Sequence, residues 1–138
     1  GELSDAASAL DYLQSMNTNA KQCWVAGFSF GAWIGMQLLM RRPEISGFIS
    51  VSPPANMYDF SFLAPCPASG LIINGLADRV APPEDTVTLV NKLHEQKGIT
   101  ITHEEVEGTG HFFEDPHMDP MIESVKTYVK RRLTENTR

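Results

Sequence analysis

Runs of apolar residues alternate along this chain with stretches of helical period, and the alternation predicts the order α, β, α, β, β, α, β, α. Residues 5–16 repeat apolar positions at Ala6, Ala9, Leu10 and Leu13, with Ser4 as the expected N-cap and Asn17-Thr18-Asn19 as the end. Cys23 to Ala26 is a short buried strand that breaks at Gly27-Phe28-Ser29-Phe30-Gly31, and a helix rich in small residues runs from there to Arg42, closed by Pro43. Ile45 to Val51 and Gly70 to Asn74 are the next two apolar runs, separated by a loop-rich segment carrying Tyr58, Phe60, Phe62 and Leu63. A helix beginning at Pro82 or Pro83 shows a face of Val87, Val90 and Leu93 and stops before Gly98. Ile99 to Val106 reads as a fourth strand, and residues 121–133 as a last helix. Strands separated by helices predict a parallel sheet with helices on both faces, a three-layer α/β/α architecture.

The break at residues 27–31 carries the first candidate chemistry. It has the G-x-S-x-G pattern between an apolar strand and an amphipathic helix, the context in which such a serine acts as a nucleophile. A sharp turn lifts the Ser29 hydroxyl above the sheet edge, and side chains at Gly27 or Gly31 are expected to collide where strand and helix nearly touch. Gly35, one turn on, lets the helix press against the sheet. The helix N-terminus below Ser29 presents free N–H groups, with that of Phe30 the expected donor to a developing oxyanion. Taken alone, the pentapeptide also fits a glycine-rich turn with a capping serine.

Two later positions change that balance. In a doubly wound sheet the loops after the strands' C-terminal ends gather along one edge. Asp78 follows the third strand and His111 the fourth, through the turn Gly108-Thr109-Gly110. Singly, Asp78 fits a loop turn or a pair with Arg79, and His111 fits a packed surface histidine. In the order Ser…Asp…His, at the ends of successive strands, they fit a triad: His111 takes the Ser29 proton, and Asp78 holds the imidazole. Phe28, Ser52, Tyr58 and Phe62 are candidates for lining the substrate pocket, with Ser50 beside them.

With 42% hydrophobic and 20% charged residues, the 138-residue chain has the composition of an ordinary soluble single domain, residues 1–138. A net charge of −6 without a basic face argues against nucleic acid and anionic membranes. The run Lys130-Arg131-Arg132 is expected to decorate the end of the last helix. Cys23 and Cys66 lack metal or redox spacing, so reduced thiols, a cytoplasmic location and no metal site are expected. His117 among Glu114, Asp115 and Asp119 reads as a solvated turn, and His94 and His103 as structural.

The stretches VAGFSFGAWIG, ISVSPP with YDFSFLAPCP, LIINGLADRVAP and GTGHFF resemble the α/β-hydrolases, near the bacterial dienelactone-hydrolase-like group of serine hydrolases. The resemblance implies cofactor-independent hydrolysis of an ester, thioester or amide, on a mostly parallel sheet. Dienelactone hydrolases proper use a cysteine where this chain has Ser29. Members of the family also carry further strands before the first helix, one of whose loops donates a second oxyanion N–H. The chain opens abruptly at GELSDAASAL, so it is expected to be the C-terminal part of the fold, with an open sheet edge beside the elbow strand that a second copy could cover. The leading expectation is a serine hydrolase acting on a small acyl substrate. A non-catalytic interaction domain or inactive fragment that keeps the elbow is the alternative, and a peptidase of the same superfamily a third.

Overall fold

The computed structural model describes residues 1–135. Its elements are α1 (Glu2–Met16), β1 (Cys23–Phe28), α2 (Phe30–Arg41), β2 (Ile45–Val51), β3 (Gly70–Gly75), α3 (Pro83–His94), β4 (Ile101–Val106) and α4 (Met118–Glu135). The four strands form one all-parallel sheet in the order β1-β2-β3-β4. No described helix is long and apolar enough to cross a membrane.

Because successive strand residues point to opposite faces, the sheet builds two cores. Phe48 and Ile72 face α1, α2 and α3, where they meet Leu10, Met36, Leu39, Val90 and Leu93. Ile49, Val51, Leu71 and Ile73 face α4 and pack with Tyr128, Phe113 and the partly buried Val125. Burial of each large apolar side chain contributes ~1.5–3 kcal/mol. β2 and β3 are covered on both sides and read as continuous apolar runs for that reason. Among the described residues β1 pairs with β2 alone, and it is half-buried, not buried as its composition predicts.

Other expectations are corrected. α1 starts three residues before Asp5 with Gly1 at the N-cap, so Ser4 lies inside the first turn and caps nothing. Its inward face is Leu3, Ala6, Ala7 and Leu10, while Leu13 is 56% exposed. The face of α3 is Thr86, Leu89, Val90 and Leu93, leaving Val87 outside. Arg132 does not decorate the helix end. It is buried, donates to the carbonyls of Ser69 and Ser46 (3.0 Å each) and to the Tyr128 hydroxyl (2.7 Å), and lies 4.6 Å from the centre of the Trp24 ring. The side chain thereby ties α4 to backbone beside β2 and β3.

Candidate active site

The site is assembled from the C-terminal ends of the strands. Ser29 sits between β1 and α2 with φ 54° and ψ −120°, a left-handed conformation that costs a non-glycine residue on the order of 1–3 kcal/mol. Surrounding contacts hold it there. Its N–H donates to the Val51 carbonyl at 2.8 Å, and its own carbonyl accepts from Ala32 N–H at 2.9 Å. A Cβ on Gly27 would lie under 3.0 Å from the Gly31 carbonyl and the Ala32 nitrogen, so this close crossing of strand and helix requires glycine. Gly31 is different: a Cβ there meets nothing within 4 Å, which corrects the expected collision. At Gly35 a Cβ would stand 3.1 Å from Val25, so α2 does press close to β1 at that turn. Phe30 and Gly31 open α2, and their N–H groups precede the first residue able to bond within the helix.

Three side chains meet above this turn. His111 Nε2 lies 2.8 Å from Ser29 Oγ, and His111 Nδ1 lies 2.8 Å from Asp78 Oδ2. With Nδ1–H donating to the carboxylate, Nε2 is left as the acceptor facing the serine hydroxyl. The Asp78 and His111 side chains are buried, at 0% and 3% exposure, whereas Ser29 is half-buried. Asp78 forms no ion pair with Arg79. Its Oδ1 accepts from the N–H groups of Val80 and Ala81, both at 2.8 Å, so one oxygen shapes the loop while the other faces His111. The 109–111 segment is seated on the end of β3, where Ala77 N–H donates to the Thr109 carbonyl at 3.0 Å and Gly75 leaves no room for a Cβ.

Aromatic rings flank the serine on two sides. Phe28 lies 5.2 Å from the His111 ring and 5.7 Å from Phe112. Phe30, Trp33 and Tyr58 form the second group, with Trp33 and Tyr58 stacked at 4.6 Å and Phe30 5.4 Å from Tyr58. Trp33 Nε1 donates to the Asp59 carbonyl at 3.0 Å and so holds the loop against α2. Trp33 and Phe112 escaped the sequence reading, although Trp33 is three residues beyond Phe30 and so on the same helix face.

Two of the four pocket candidates lie elsewhere. Ser52 is fully buried and donates its hydroxyl to the His111 carbonyl at 2.8 Å; it faces the backbone of the histidine loop, not a pocket. Phe62 stacks on Phe60 and packs against the α1–α3 core. A cavity of about 700 Å³ runs between the 55–65 loop and α3 and includes Tyr58 but none of Ser29, Asp78 and His111. Burial raises the thiol pKa values of Cys23 and Cys66, so both remain protonated at neutral pH. His103, half-buried on β4, shares a hydrogen bond of 2.6 Å with the Asn74 amide oxygen, and burial lowers its pKa.

A parallel sheet with helices on both faces, and a serine of positive φ at a strand–helix turn, are the architecture of the α/β-hydrolases, and the chain has that fold in part. Among solved structures it is similar to a protein of unknown function from Agrobacterium tumefaciens, a candidate α/β hydrolase, with 61% identity, a TM-score of 0.95, and coverage of 99% of this chain and 62% of that one. An α/β serine hydrolase homologue from Coxiella burnetii is 26% identical with a TM-score of 0.79, covering 91% of this chain and 58% of that one. A serine hydrolase without a lid from Xanthomonas campestris is 27% identical with a TM-score of 0.81, covering 94% and 56%. An uncharacterised protein of Rickettsia prowazekii is 51% identical over 117 residues, which is 82% of this chain and 49% of that protein. The chain thus spans about half the length of this curated relative and under two thirds of each of the three structures. No family model matches it.

Proposed function

We propose that the chain carries the catalytic centre of a serine hydrolase acting on a small carboxyl ester or related acyl compound. In this reading Ser29 Oγ attacks the carbonyl carbon while His111 Nε2 takes its proton. Asp78, kept from solvent, holds the imidazole in the required tautomer and balances the imidazolium. The tetrahedral oxyanion receives a hydrogen bond from Phe30 N–H, at the positive end of α2. The imidazolium then protonates the leaving group, and water attacks the acyl-serine with His111 again as base. A second oxyanion donor would come from outside the described residues. The observation that carries the proposal is the continuous chain Ser29–His111–Asp78, two hydrogen bonds of 2.8 Å, on a serine of positive φ. The lid-less serine hydrolase among the structural neighbours supports the same class.

An interaction domain that keeps the elbow is the competing reading, favoured by a 700 Å³ cavity that the three residues do not line. A fluorophosphonate probe separates the two, applied to this chain and to a form extended by the N-terminal part of the Agrobacterium relative. Labelling of at least one form, lost in Ser29→Ala, is the expected result, together with a burst of p-nitrophenol from p-nitrophenyl butyrate. Neither labelling nor turnover in both forms would overturn the hydrolase reading.

A further inference from the structure

We infer that Val51 and Ser52 act as a clamp that sets the position of His111 relative to Ser29, with Ser52 a positioning residue; the inference rests on the triad reading above. The two residues are consecutive at the C-terminal end of β2, and each holds one member of the reacting pair. Through its carbonyl, Val51 accepts the Ser29 N–H at 2.8 Å, which pins the nucleophile's backbone to the end of β2. Through its hydroxyl, Ser52 donates to the His111 carbonyl at 2.8 Å. Ser52 is itself anchored, its N–H donating to the Ile73 carbonyl at 2.9 Å. Ser29 and His111 are 82 residues apart in the chain, yet a path of two hydrogen bonds and one dipeptide joins their backbones.

Among the described residues this is the one hydrogen bond of the Ser52 hydroxyl, and Ser52 is fully buried and does not line the 700 Å³ cavity. Its backbone has φ 51°, in the left-handed region where glycine is the least strained residue. The 109–111 segment already rests on β3 from one side, and the Ser52 hydroxyl closes the other. Without it the His111 carbonyl is left buried with no donor from β2, and the segment is free to shift. A displacement of ~1 Å at a reacting group costs up to about a hundredfold in rate.

Ser52→Gly and Ser52→Ala test the clamp, in whichever of the two forms labels at wild-type Ser29. Glycine relieves the backbone strain at φ 51° and so offsets part of the lost hydrogen bond; Ser52→Gly is expected to melt within about 5 °C of wild type while kcat and the labelling rate fall roughly tenfold or more, with KM within about twofold. Ser52→Cys, a weak donor of similar size, should restore part of the rate. The downfield proton of His111 Nδ1–H, followed by NMR, is expected to shift or broaden in Ser52→Gly. Rates within about twofold of wild type and an unmoved proton would overturn the clamp. A melting temperature that falls by more than about 10 °C along with the rate in Ser52→Gly would overturn it in favour of a purely structural role. If wild-type Ser29 is never labelled, the hydrolase reading fails, and the His111 proton alone then decides the clamp.

Discussion

Asp78 divides its two carboxylate oxygens between two tasks, and the division predicts what an isosteric change does. Oδ1 accepts two backbone N–H bonds that shape the 78–81 loop, and Oδ2 faces His111 Nδ1. In Asp78→Asn the amide oxygen takes over the loop bonds, and the NH2 group is left pointing at Nδ1. Two donors then oppose each other, so the imidazole takes the other tautomer and Nε2 carries the proton against Ser29. Under the hydrolase reading, the variant should melt close to wild type while kcat falls by about three to four orders of magnitude, as the equivalent change does in a serine protease. The glycines of the elbow differ in the same local way. Gly27→Ala drives a Cβ into the backbone of α2 and should destabilise the chain by about 3 kcal/mol or more. Gly31→Ala enters open space on a helical residue and should be neutral or gain up to about 1 kcal/mol. Paired urea melts of the two variants check this difference.

At the scale of elements, α4 is the sole described helix on its face of the sheet, and it is held by one residue more than its apolar face suggests. Arg132 is 4% exposed, and its partners are two main-chain carbonyls, a phenol and an indole ring, with no carboxylate in contact among the described residues. Arg132→Ala removes its hydrogen bonds to those carbonyls and the Tyr128 hydroxyl and opens space beside Trp24. A loss of about 3 kcal/mol is expected, against less than about 0.5 kcal/mol for the exposed neighbour Lys130→Ala. Chemical denaturation of the two variants separates a tie from a decoration.

Across the whole molecule, the corner between α2 and β2 is joined to α1 by a charged network. Arg42 bonds Glu44 at 2.7 Å, Asp11 at 2.9 Å and Gln14 at 2.9 Å. The hydrogen bonds from Arg42 and then Gln14 lower the pKa of Glu44 from 4.5 to about 2. A carboxylate whose folded pKa lies below its unfolded value stabilises the fold above the unfolded value and loses that contribution as pH falls through the folded one. Glu44 is partly exposed, so the effect is screened. Glu44→Gln should therefore be slightly less stable near neutrality, and its stability should fall less between pH 4.5 and pH 2. Urea midpoints measured at both ends of that window check the sign. Covering surface is thin at the β1 edge: among the described residues β1 pairs with β2 alone, and a cavity of about 360 Å³ lies between its end and α4, walled by Phe28, Val51, Met121 and Ile122.

Much of this was legible in the residues because it depends on local periodicity. Apolar runs bounded by glycine and proline placed the strands, and the parallel three-layer fold followed from their alternation with helices. Residues 29, 78 and 111 could be grouped because a parallel sheet brings the ends of its strands to one edge whatever the side chains do. What the sequence could not determine is which side of an element meets a neighbour, since that depends on packing between segments distant in the chain. α1 turned Leu13 outward and Leu3 inward. Arg132 reads as surface charge in the sequence, but α4 lies where its guanidinium reaches the carbonyls of Ser46 and Ser69. Ser52 was grouped with pocket residues because its partner, the carbonyl of His111, lies 59 positions away. Composition and spacing pointed to the kind of chemistry proposed for the site. The hydrogen bonds that aim it were decided by tertiary contacts alone, because a bond between distant segments leaves no period in the sequence.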